Sequence, residues 1–174
     1  PVSHSNNIHE VKNYKNMLGI AGIKTKYLPS IKLDKKIPVK ARTITCHMFS
    51  GGSRYYLKEW PLNNWVIVIN YLTRKKFKIN LTGSFANRNK AISVKNKCND
   101  KDKITVQAGR FNLKNTTELL KSSNLVISVD TGIMHLAGAL QCSLLSLHGP
   151  TLSTRWGTLN KNCYAIDSKE FCTP

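Results

Sequence analysis

From Val129 to Leu140 the chain reads V-D-T-G-I-M-H-L-A-G-A-L, an apolar strand pattern that stops at Asp130, turns through Thr131 and Gly132 and continues as a helix. The first turn of a helix leaves backbone N–H groups without intrahelical partners, and with the helix dipole these make an anion site. Gly132 removes the side chain that would block a diphosphate, and Thr131 adds a hydroxyl donor. His135, four residues after Thr131, falls on the same helical face. Asp130 would repel a phosphate. Its carboxylate either accepts hydrogen bonds from sugar hydroxyls or serves as the helix N-cap, and His135 is either part of the site or a packed core histidine.

Two further clusters offer matching chemistry. S-G-G-S-R-Y-Y-L-K-E-W-P, from Ser50 to Pro61, joins a strand to a helix. Gly51, Gly52 and Ser53 can supply a backbone cradle, and Arg54 and Lys58 can bring cations to the same strand-end crevice. Neutralising a leaving diphosphate is work for such cations, because charge builds on that group as a glycosidic bond breaks. The alternative is an exposed loop with ordinary surface charges. L-H-G-P-T-L-S-T-R-W-G, from Leu147 to Gly157, ends a buried strand in a rigid Gly149-Pro150 turn. Thr151, Ser153 and Thr154 follow as small donors, and Trp156 is either a stacking surface or a packed aromatic.

The elements that must position these clusters alternate. Strands are expected at 43–49, 78–84, 104–109, 125–130, 143–149 and 163–167, and helices at 61–75, 87–97, 115–123 and 131–140. Pro61 suits a first helical turn, where its missing N–H costs nothing. This order predicts an α/β fold, a doubly wound parallel sheet with helices on both faces. In such a sheet ligands bind beyond the carboxyl ends of the strands, so function belongs in the loops after Phe49, Gly83, Gly109, Asp130 and Gly149. Gly at three of those ends, Gly83, Gly109 and Gly149, permits tight turns and close approach to a ligand. Upstream, 9–20 reads as a helix with apolar positions at Val11, Tyr14 and Leu18, followed by a polar linker containing two prolines. Residues 1–42 are therefore expected to be an inter-domain helix and linker, and 43–174 the ligand-binding domain.

Composition narrows the partners. Lys and Arg outnumber Asp and Glu by 27 to 9, a formal +18 that attracts phosphate-bearing molecules: a nucleotide, nucleic acid or an anionic membrane surface. The basic residues are mostly Lys scattered among Asn and Ile, without an Arg-rich tail or repeated aromatic-basic unit, so much of the charge reads as a solvated face. No apolar run approaches the roughly 20 residues of a membrane-spanning helix, and a soluble chain is expected. Cys46, Cys98, Cys142, Cys163 and Cys172 form no CxxC pair and no zinc-like spacing with the histidines, and read as reduced thiols that pack as small hydrophobes. No metal site is expected.

D-T-G-x-x-H-L-A-x-A-L followed after a short strand by H-G-P-T-x-x-x-x-W-G resembles glycosyltransferase family nine, the ADP-heptose:lipopolysaccharide heptosyltransferases. Lys58-x-Trp60-Pro61, the Leu81–Gly83 strand end, Ala108–Leu113 and the 9–20 helix fall in the order that family shows. The resemblance covers nearly the whole chain. It implies one Rossmann-like half of a GT-B fold, the carboxyl-terminal half that holds the donor. Ser53, Arg54 and Lys58 would contact donor phosphate or sugar. Asp130, Thr131, Gly132 and His135 would line the donor pocket, with Gly83 and Gly149 at neighbouring strand ends.

The implied reaction is an inverting transfer from ADP-heptose, or another nucleotide sugar, to a lipopolysaccharide core sugar, with no cofactor. The acceptor-presenting amino-terminal domain and its general base would lie outside this sequence, and both ends are expected to be truncated relative to the family. The isolated chain is accordingly expected to bind donor weakly and turn over little. A cytoplasmic location is implied, and peripheral association with the inner membrane is left open. The competing readings are a non-catalytic nucleotide-sugar-binding module and a nucleic-acid-binding module.

Overall fold

The structure, a computed structural model, describes residues 4–26, 28–52 and 54–168. Its centre is one sheet of parallel strands: β1 (Thr43–His47), β2 (Lys78–Thr82), β3 (Ile104–Val106), β4 (Leu125–Val129), β5 (Leu144–His148) and β6 (Cys163–Asp167). Their spatial order is β3-β2-β1-β4-β5-β6. The chain therefore runs outward from β1 to one edge, crosses back to β4 beside β1, and runs outward to the other edge. β1 pairs with both β2 and β4, and all of its residues are buried, as a central strand flanked on both sides requires. The expected doubly wound sheet is present, and every expected strand and helix has its counterpart, with β1 to β5 one to three residues shorter than the apolar runs suggest and β6 as expected.

The helices are α1 (Glu10–Ile20), α2 (Tyr55–Lys58), α3 (Leu62–Arg74), α4 (Arg88–Lys97), α5 (Leu113–Ser122), α6 (Gly132–Ala139) and α7 (Ser153–Trp156). Alternation along the strands sends Ile44 and Cys46, Ile79 and Leu81, and Ile127 and Val129 into one core with Trp65 and Ile69 of α3 and Val94 of α4. Trp65 is fully buried there, and truncating such a ring typically costs about 3–5 kcal/mol. The other face carries Val126 and Leu144 against Leu120 of α5 and Met134 and Ala137 of α6. Gly138 sets the spacing on that side, since a Cβ there would lie 2.5 Å from Thr158 Cγ2.

α1 corrects an expectation. The helix forms, capped by His9, but its buried residues are the polar Glu10 and Asn13, whereas Tyr14 and Leu18 of the expected apolar stripe are exposed. The reason is polar pairing: Glu10 meets Arg155 and His4, and Asn13 meets Ser5. The linker behind it carries no regular element in its described residues, and it is tied to the last residues of α6 and α5 by Ile31 N–H to Ala139 O and Lys40 N–H to Ser122 O, at 2.9 and 2.7 Å. No helix among the described residues is long and apolar enough to cross a membrane. Cys46, Cys98 and Cys142 are buried and free, Cys163 is partly buried and free, and Cys172 lies outside the described residues.

His47 closes β1 as a buried imidazole 2.9 Å from Thr82 Oγ1. Burial pushes its pKa down from 6.5 to about 4. Between those values the unfolded chain holds a proton that the folded chain rejects. Stability linked to His47 is thus complete above pH 6.5 and declines as the pH falls toward 4, by an amount on the order of 3 kcal/mol. Urea unfolding across that window should show the decline, and His47→Gln should flatten it.

Candidate donor site

β1 and β4 are adjacent, yet the chain leaves their carboxyl ends toward opposite faces of the sheet, so a crevice opens between the two following loops. α6 starts at this crevice. Thr131 is its N-cap, in extended conformation, with Oγ1 accepting the Ile133 N–H at 3.1 Å. Thr131 thus holds the capping role left open for Asp130. A Cβ on Gly132 would meet no atom within 4 Å, so the helix start faces open space.

Asp130 is buried, and it is satisfied from the neighbouring loops. Thr151 Oγ1 donates to Oδ2 at 2.7 Å, Lys58 Nζ pairs with the same oxygen at 3.3 Å, and His135 Nε2 stands 3.9 Å from Oδ1. His135 is half exposed on the first turns of α6 and is not a core residue. Burial, the largest influence, lowers its pKa against the opposing pull of Asp130; His9 and Lys58 lower it further. These groups enclose a cavity of about 430 Å³ whose wall also includes Ser50, Gly51 and Trp156. Lys58 has three N–H donors, so it can keep Asp130 and still serve a phosphate oxygen.

A longer groove of about 1130 Å³ continues from this cavity past Gly83 along the ends of β2 and β3. Its floor holds His47 and Thr82, and its walls carry Asn87, Gln107, Phe111 and Asn112. Gly83 is needed for packing here, because a Cβ would sit 2.9 Å from the Phe49 ring. Glu59 also faces the groove, and its carboxylate accepts the Ser50 N–H at 3.1 Å, which holds the turn at the cavity lip.

The structure therefore brings together Lys58, Asp130, Thr131, Gly132 and His135 in one cavity and puts Gly83 in the adjoining groove. Arg54 is exposed at the left-handed N-cap of α2, with φ of 54°, and is absent from the walls of both spaces. Ser53 lies outside the described residues. Gly149 lines a different cavity behind the 57–61 loop, where a Cβ would approach Leu57 O to 2.8 Å, so its effect on the site runs through the seat of Lys58. Sequence reasoning missed Glu59 and the groove residues. Asn87, Gln107 and Asn112 follow the ends of β2 and β3, and that position in a doubly wound sheet was the available signal.

The family model for glycosyltransferase family 9 (heptosyltransferase) matches residues 30–174. The chain belongs to this family. Lipopolysaccharide heptosyltransferase 1 of Pseudomonas aeruginosa is 27% identical over 128 residues, covering 73% of this chain and 35% of that protein. The Salmonella typhimurium protein of the same name is 30% identical over 113 residues, covering 65% and 35%. This chain thus spans about a third of the length of these curated relatives. Among solved structures, a family 9 glycosyl transferase from Veillonella parvula superposes with a TM-score of 0.78 at 18% identity, covering 97% of this chain and 51% of that one. E. coli heptosyltransferase WaaC with ADP gives 0.72 at 19% identity, covering 94% and 52%. The fold is that of the Rossmann-like portion of these GT-B glycosyltransferases.

The Asp130 network predicts unequal costs for its members. Lys58→Met leaves a buried carboxylate without its cation and should lower stability by about 1–3 kcal/mol. Asp130→Asn keeps an acceptor for Thr151 and Lys58 and should cost less. Urea unfolding of the two variants at pH 7 measures the order directly.

Proposed function

We propose that this chain is the donor-binding part of an inverting glycosyltransferase that moves a heptose, or a similar sugar, from a nucleoside diphosphate to a sugar of the lipopolysaccharide core. The observation that carries this reading is the convergence of the open α6 start at Gly132, the Lys58 ammonium and the small polar groups Thr131 and Ser50 on one cavity. The family membership and the heptosyltransferase relatives support the sugar and the acceptor class.

In this reading the diphosphate lies across the start of α6, where the backbone N–H groups and Lys58 meet the charge that grows as the glycosidic bond breaks. The nucleoside extends into the adjoining groove, which has apolar walls and amide side chains suited to a base. Asp130 keeps its oxygens near the mouth, where they can orient sugar hydroxyls, and it holds Lys58 in place between turnovers. Transfer also requires a base within reach of the acceptor hydroxyl. In our reading that base comes from the acceptor-presenting domain of the complete enzyme, so the present chain alone binds donor and does not turn it over. The formal +18 suits a cytoplasmic protein that rests on the anionic face of the inner membrane, where such an acceptor would be met.

Calorimetric titration with ADP tests the site. The chain should bind ADP, Lys58→Ala should weaken binding by roughly tenfold or more, and Gly132→Ala should weaken it while leaving the melting temperature close to wild type. Absence of binding, or full binding by both variants, would remove the donor-site reading.

A further inference from the structure

Trp156 forms part of the cavity wall, yet it sits on α7, a helix of only four residues, Ser153–Trp156. So short a helix has no stability of its own and must be held from outside. At its start Asp167 accepts from Ser153 N–H and Oγ–H at 2.7 and 2.6 Å. At its end the holding groups come from α1, far away in sequence.

Glu10 Oε1 accepts from both Nε and Nη2 of Arg155 at 2.6 Å, while Oε2 meets His4 Nε2 at 2.9 Å and Asn13 Nδ2 at 3.4 Å. His9 Nδ1 accepts the Val11 N–H at 3.1 Å, which leaves Nε2–H to donate to Gly157 O at 2.9 Å. The start of α1 thus grips the residues immediately before and after Trp156. The Arg155 guanidinium also lies over the Trp156 ring, 5.0 Å from its centroid. Because the aromatic and aliphatic side chains of α1 at Tyr14, Met17 and Leu18 are exposed, its attachment is polar and runs through this grip. The hydrogen bond from His4, with Arg155 and Asn13 adding to it against burial, holds the Glu10 carboxyl at about 2, so the grip is charged at neutral pH.

We propose that Glu10 is a positioning residue for the donor cavity: through Arg155 it fixes Trp156 in the wall, so that donor affinity depends on α1 being docked. The inference rests on the donor-site reading above. A helix some 145 residues upstream of Arg155 in the chain then becomes a sensor of site occupancy, since by linkage a bound donor also tightens α1.

The test combines ADP calorimetry with the indole N–H resonance of Trp156, assigned by Trp156→Phe. Glu10→Gln should weaken ADP on the order of tenfold and shift that resonance without lowering the melting temperature below the assay range. Trp156→Ala should weaken ADP similarly, and the double variant should be no worse than the poorer single one, because both remove the same contact. Unchanged affinity in Glu10→Gln, multiplicative losses in the double variant, or an unmoved indole resonance would each overturn the proposal. If the wild-type chain binds no ADP, the donor reading fails and takes the affinity claim with it. The indole resonance still decides whether Glu10 places Trp156.

Discussion

A carboxylate buried at the mouth of the sheet must be satisfied on the spot, because an unpaired buried charge costs several kcal/mol. Asp130 is that carboxylate, and its partners come from the end of α2, the loop after β5 and α6. Lys58, Thr151 and His135 are therefore not free to drift. The same arrangement sets the shape of the cavity, places a cation beside the start of α6 and leaves Gly132 facing open space. A ligand that engaged Lys58 would have to share it with Asp130.

This constraint works only because the strand order reverses between β1 and β4. The reversal separates the two loops enough to open a crevice and keeps them close enough for a Lys–Asp pair. Close packing fixes the supporting layers: Gly83 lets the Phe49 ring pass, Gly149 lets the Leu57 carbonyl pass, and Gly138 lets α6 lie on Thr158. Each of these three glycines acts through the position of a neighbour, whereas Gly132 faces open space. The site is in this sense a property of the sheet's topology, refined by side-chain contacts between loops distant in sequence.

The sheet and the start of α6 were legible in the amino-acid sequence, because buried parallel strands are continuous apolar runs and a strand-Asp-Thr-Gly-helix turn is local. Asp130, Thr131, Gly132 and His135 were legible for the same reason, and Lys58 as a cation on the connection after β1. What escaped was whatever depends on a partner remote in the chain. Val11, Tyr14 and Leu18 mark a stripe on α1, but periodicity does not say what covers a stripe, and here Glu10 and Asn13 face inward because Arg155, His4 and Ser5 await them. Arg54 has the right charge and neighbourhood, yet a left-handed backbone at that residue carries it to the surface. Gly149 looked like part of the crevice and proves to be a spacer behind it.

In the proposed function the start of α6 receives the anionic part of a nucleotide. Amide NMR during an ADP titration tests it residue by residue. The largest shifts should fall on the backbone N–H groups of Thr131, Gly132 and Ile133, with smaller ones along the groove at Asn87 and Gln107. Shifts confined to the lysine-rich surface of α4, with those amides unmoved at saturation, would contradict it.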